Sequence, residues 1–94
     1  MKYFDWDAAK NDQLRLEREV CFEDILVAIE DGRLLDILVH PNKERYPNQK
    51  VLVVNLQSYA YIVPYVEDKD KYFLKTIIPS RKCTKHYLID RRTK

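Results

Sequence analysis

A single glycine among 94 residues, two cysteines and no long apolar run set the first limits on this chain. Phosphate-cradling loops of the GxGxxG or P-loop kind need several glycines, because the backbone must approach the phosphate closely. One glycine therefore excludes both. Cys21 and Cys83 stand far apart with no CxxC spacing, so reduced thiols are expected rather than a disulfide framework or a redox pair. His40 and His86 are not spaced with those cysteines as metal ligands, and neither a metal nor a cofactor is expected. No apolar stretch approaches the roughly 20 residues of a membrane span. The start, MKYFDWD, has no apolar leader segment, so no membrane is expected and the cytoplasm is the default location.

What remains is enough for one domain over residues 1–94, with an ordered core at about 3–88 and a basic tail at 89–94. Apolar residues make up 46% and charged residues 34% of the chain, a composition that can build a core and a hydrated surface. The net charge of +2 conceals a split. Residues 1–47 carry seven Lys/Arg against eleven Asp/Glu, and residues 48–94 carry ten against four. From Lys71 onward there are eight basic residues and one acid, Asp90. This suggests either an anionic partner at that end or a solvated basic tail, and composition does not choose between them.

Along the chain, Tyr3–Trp6 reads as a short strand, and Asp7 as the cap of a surface helix over about 8–18. Phe22, Ile25, Leu26 and Ile29 fall at i, i+3, i+4 and i+7, the apolar face of a second helix. Glu23 and Asp24 suit its first turn, and Gly32 suits a left-handed end. Strands are expected at Leu34–Val39, Val51–Leu56, Tyr59–Val66 and Tyr72–Ile78. Gln57-Ser58 and Asp68–Lys71 supply the turns. Pro64 cannot donate to a ladder, which implies an edge or a bulge there. Pro79 ends the last strand, and Ser80 caps a final helix over about 81–91. The predicted class is α+β, in the order β-α-α-β-β-β-β-α, with helices packed on an antiparallel sheet.

The chemistry-bearing residues gather late. Tyr65, Lys75, Arg81, Lys82, Lys85, His86 and Tyr87, with Arg45 from a loop, form a constellation suited to RNA. Cleavage by 2′-hydroxyl attack needs a base, an acid and cations for the phosphate charge, and metal is optional. Arginine meets phosphate through a bidentate fork, lysine as a point charge, and tyrosines can stack bases. Each residue also has an ordinary structural account. Lys75 can snorkel from a sheet face, Arg81 can be a surface charge and His86 an exposed histidine. Tyr59, Tyr61, Tyr65 and Tyr72 can be sheet packing. Cys83 and His86 fall at i, i+3 with no orienting partner, so cysteine catalysis is not expected.

FDWDAAKN at the start and VCFEDILVAIED after it resemble the opening of BrnT-family toxins. Trp6, Asp7 and Lys10 match the first element, and Val20, Phe22, Glu23 and Asp24 the second. LKTIIPSRKCTKHY is similar to the family's closing segment, Glu44-Arg45 to an E-R pair, and Glu67 has a counterpart. The resemblance spans about residues 3–88. Cys21 stands where Ser or Thr is usual, Lys75 where arginine is, and Pro79 where a small residue is. The resemblance implies a RelE/ParE-like fold and an RNA-cleaving toxin of type II. A ribbon-helix-helix or helix-turn-helix antitoxin would neutralise it, and operator DNA would be met only through that antitoxin. It also implies that Arg45, Lys75 and Arg81 are functional cations, with Lys10 joining them if the first helix packs beside the sheet face. A ParE-like toxin that binds a protein such as DNA gyrase, and a plain interaction domain, are the competing expectations.

Overall fold

The computed structural model describes residues 2–39, 42 and 44–89. Strand β1 (Tyr3–Trp6) leads through Asp7 into helix α1 (Ala8–Arg18). The Asp7 carboxylate accepts from Ala9 N at 3.0 Å, satisfying a first-turn donor. Leu14 is buried at 1% exposure while Leu16 is 86% exposed, so one thin stripe faces inward, as its composition implies. Helix α2 (Phe22–Glu30) begins at Cys21. The cap that cysteine supplies poorly comes from elsewhere. Asn11 of α1 accepts from Phe22 N at 2.7 Å and donates to Glu23 Oε1 at 2.8 Å. Asp24 accepts from Cys21 N at 3.1 Å. Gly32, at φ 77°, ends the helix. Arg33 N donates to Ala28 O and Gly32 N to Ile29 O, the paired bonds of a left-handed cap.

The sheet follows: β2 (Leu34–Val39), β3 (Gln49–Leu56), β4 (Tyr59–Glu67), β5 (Lys71–Leu74) and β6 (Ile78–Pro79). Its order is β1-β5-β4-β3-β2, with β6 also on β4. Only β1 and β5 run parallel. The order β-α-α-β-β-β-β-α holds, with β6 as an added short strand, and the topology is consistent with the RelE-like arrangement. Gln57 and Ser58, both at positive φ (53° and 67°), make the tight turn between β3 and β4.

Three expectations need correction, the first two of them linked. The segment expected as one strand, Tyr72–Ile78, is broken between Leu74 and Ile78, and Pro79 lies inside β6 rather than after the last strand. Pro64 lies in β4, which is interior to the sheet, not at an edge. The two facts have one cause. Pro64 O accepts from Lys75 N at 2.8 Å. The missing Pro64 donor would point to that same side, because a strand residue directs both its backbone groups one way. The neighbouring strand is interrupted where the donor is lacking. The last helix also differs from the expected 81–91: Arg81–Cys83 is α-helical (α3) and Thr84–Ile89 continues as a wider π-helix. Residues 90–94, including Arg91, Arg92 and Lys94 of the expected tail, lie outside the described residues, as does His40.

Alternation along the strands gives the sheet two unlike faces. Leu14 of α1, Phe22, Ile25 and Ala28 of α2, and Val20 between them pack on Leu52, Val54, Leu56, Val63, Tyr65 and Leu74 of one face. Trp6 stacks on Phe22 at 5.5 Å. On the opposite face, the C-terminal helical segment lies across β4. Thr84 Oγ1 accepts from Ala60 N at 2.8 Å and donates to Ser80 O at 2.7 Å. Ala60 and Val53 of this face are fully buried. Among the described residues the rest of this face is half-exposed or exposed, and we refer to it as the open face.

Candidate functional site on the open sheet face

Register places the residues of this open face in rows. Leu38, Val51 and Pro64 are cross-strand partners, and Lys75 continues the row through its backbone bond to Pro64. Asp36, Val53, Ile62 and Ile78 form the next row. Gln49, Val66, Phe73 and Asp5 form a third. The floor is thus apolar, with polar groups at its two sides.

At the β2 side, the Tyr87 hydroxyl donates to Asp36 Oδ2 at 2.6 Å. The His86 ring meets the Tyr87 ring edge-on at 4.7 Å. That hydrogen bond, then the one from Ile37 N, and the nearby His86 hold the Asp36 carboxyl below the usual carboxylate range. At the β5 side, Lys75 is exposed after the end of β5. Its ammonium lies 5.6 Å from the centre of the Phe73 ring, and Lys71 lies 5.5 Å from it. Lys71 also pairs with Asp5 at 3.3 Å, which raises its pKa. No carboxylate lies within ion-pair distance of Lys75 among the described residues. Three strand spacings separate Asp36 from the Lys75 position, roughly 14 Å. Tyr87 and Lys75 share a face but do not converge on one atom.

Arg81 and Lys82 open the C-terminal helical segment, with Ser80 as its cap, accepting from Cys83 N at 3.1 Å. Arg81, Lys82, Lys85 and His86 are all exposed. Lys82 precedes His86 by four residues, a spacing that brings side chains to one side of a helix. Of the residues singled out in the sequence, Lys75 lies on the open face and Tyr87 reaches its Asp36, while Arg81, Lys82, Lys85 and His86 are exposed on the C-terminal helical segment that crosses it.

Three lie elsewhere. Tyr65 is 4% exposed and packs in the helix-facing core. It walls an apolar cleft of about 280 Å³ with Phe4, Ile29, Leu52 and Tyr72, and burial, then Glu67, pushes its phenol up. Lys10 belongs to α1, whose Leu14 packs in that same layer. Arg45 sits over the Tyr46 ring in the β2–β3 connection. That connection is at the Glu67 end of β4, whereas Arg81 is at the Ala60 end. Seven residue steps of strand separate those two ends, about 23 Å.

Two residues were missed by the sequence reading. Phe73 is the aromatic ring on the cation-bearing face, and its position two residues before Lys75 was the available signal. Asp36 gave none, since its partner Tyr87 is 51 residues away. Among the described residues no three His, Cys, Asp or Glu side chains gather as metal ligands. Comparison of the chain with protein-family models, curated proteins and solved structures finds no match.

Proposed function

We propose that this chain is the toxin of a type II toxin–antitoxin pair, of the BrnT kind, and that it cleaves RNA without a metal. The observation that carries the reading is the open sheet face. It is apolar in its floor and bordered by exposed cations, and it holds a His86–Tyr87–Asp36 group at one side. In the proposed reaction the 2′-oxygen attacks the adjacent phosphorus and the bond to the 5′-oxygen breaks. The products are a 2′,3′-cyclic phosphate and a 5′-hydroxyl. Histidine is the side chain that changes protonation near neutral pH, so His86 takes the 2′ proton, while the departing oxygen collects one from solvent. Arg81 and Lys82 offset the charge that grows on the phosphate. Tyr87, whose proton is committed to Asp36, orients the His86 ring rather than donating.

The neutralising partner is a DNA-binding antitoxin with an acidic segment that covers Arg81 and Lys85, and the pair works in the cytoplasm. Substituting both residues by Ala weakens that complex, with a loss that shrinks as salt rises. Salt-independent affinity would count against charge pairing. The reaction itself is tested by inducing the chain in a bacterium and sequencing RNA ends. New 5′-hydroxyl ends are expected with the wild type. His86→Gln should lower cleavage about 100-fold or more.

One observation favours a second reading. The roughly 14 Å between Asp36, which holds Tyr87, and the Lys75 position suits a broad binding surface as well as it suits one reacting phosphate. A toxin of this fold that binds a protein target would arrest growth with RNA ends unchanged.

A further inference from the structure

Phe73 is a half-buried ring on the face opposite the one that α1 and α2 cover. Its strand neighbours on that face, Lys71 and Lys75, bring their ammonium groups toward it from either side along the chain. Val66 is its cross-strand partner, and Pro64 lies in the next row. Lys71 is matched by Asp5, which leaves Lys75 as the uncompensated cation beside the ring among the described residues. A flat apolar ring next to an unmatched cation, on an apolar floor, is complementary to a ligand with a planar apolar face and a nearby anion.

We infer that Phe73 is a stacking platform for one base of a single-stranded nucleic acid, with Lys75 holding an adjacent phosphate. Every base offers a π-face, and stacking on aromatic side chains is the general means by which single strands are held. A phosphate draws the Lys75 ammonium away from the ring face and gives it a full counter-charge in place of the ring quadrupole. The platform lies toward β5, whereas His86 and Tyr87 lie toward β2 and the C-terminal segment. A strand crossing the floor therefore has a base held at one side and a phosphate presented at the other. The inference rests on the RNA reading above and adds to it the residue that grips the base.

The test uses a fluorescein-labelled oligonucleotide whose 2′-hydroxyls are replaced by hydrogen, so that it binds without being cut. Anisotropy titration with the whole chain is the readout. Phe73→Leu keeps apolar volume and removes the π-face, and should weaken binding about tenfold. Phe73→Tyr should bind as the wild type does. An otherwise identical abasic strand should bind the wild type as weakly as the base-bearing strand binds Phe73→Leu. Lys75→Gln should make the dependence of log affinity on log salt shallower by about 0.7. Equal affinity of wild type and Phe73→Leu, or equal affinity for abasic and base-bearing strands, overturns the platform. So does an absence of strand binding, and capture of an acidic helical peptide instead would assign the face to a protein partner. Cleavage is read separately on ordinary RNA. Cutting unaffected by Phe73→Leu sinks the platform alone, and base-dependent binding without cutting sinks the nuclease reading alone.

Discussion

Tyr87 and Asp36 make the contact that ties the C-terminal segment to the edge strand β2. Because the hydroxyl donates to the carboxylate, removing it should let the Asp36 carboxyl rise toward its ordinary range. Tyr87→Phe, followed by NMR titration of the Asp36 carboxyl carbon, should show that rise, and an unchanged midpoint would mean the hydrogen bond is not formed in solution. Residue type alone could place His86 and Tyr87 late in the chain, but not Asp36, whose pairing depends on how the final helix crosses the sheet. The same limit misdirected the choice of aromatic. Tyr65 and Phe73 both sit in strands near cations, and strand alternation assigns each to a face only relative to a known neighbour. Tyr65 shares its face with Leu74, and Phe73 shares the other with Lys75. The rhythm was visible, while the identity of the covered face was not.

Among the elements, the junction of α1 and α2 shows how a weak local signal is replaced by a tertiary one. Cys21 is a poor cap, and Asn11 from the preceding helix accepts the Phe22 N–H in its place. Asn11 is 5% exposed, so its loss leaves that donor buried and unpaired. Asn11→Ala should destabilise the fold by about 1–2 kcal/mol, seen as a lower urea midpoint with an unchanged m-value. No shift in midpoint would contradict the cap. At the other end of α2 the sequence was explicit, since the one glycine stands where the chain turns left-handed. A Cβ at Gly32 would meet no atom within 4 Å, so Gly32→Ala should cost only the backbone term, about 1 kcal/mol. The break between β5 and β6 was less legible. Pro64 signalled an irregularity, and the structure places that irregularity in the neighbouring strand rather than in its own.

At the scale of the molecule, α1 and α2 pack on one sheet face and build the main core there, while the C-terminal segment covers only part of the other. The late cluster of positive charge is carried by that second side, through Lys75, Arg81, Lys82 and Lys85. Acid should weaken the assembly as a whole. Glu67 is held below its ordinary range by hydrogen bonds from Lys2 and Lys50, Glu23 chiefly by Asn11, and Asp36 chiefly by Tyr87. Groups whose folded pKa is depressed stabilise above their unfolded value and lose that contribution as pH falls through the folded one. Thermal midpoints should therefore be steady near neutrality and fall as pH drops below about 4.5. A midpoint flat down to strongly acid pH would show that these pairs do not persist in solution.

The central claim is that the open face cuts RNA through His86 with no metal. The most direct measurement incubates purified chain with synthetic RNA in excess EDTA and determines the chemistry of the new ends. The account predicts 2′,3′-cyclic phosphate and 5′-hydroxyl ends from the wild type, and their loss with His86→Gln in a variant whose thermal midpoint is unchanged. Intact RNA, or equal cleavage by wild type and His86→Gln, would contradict it.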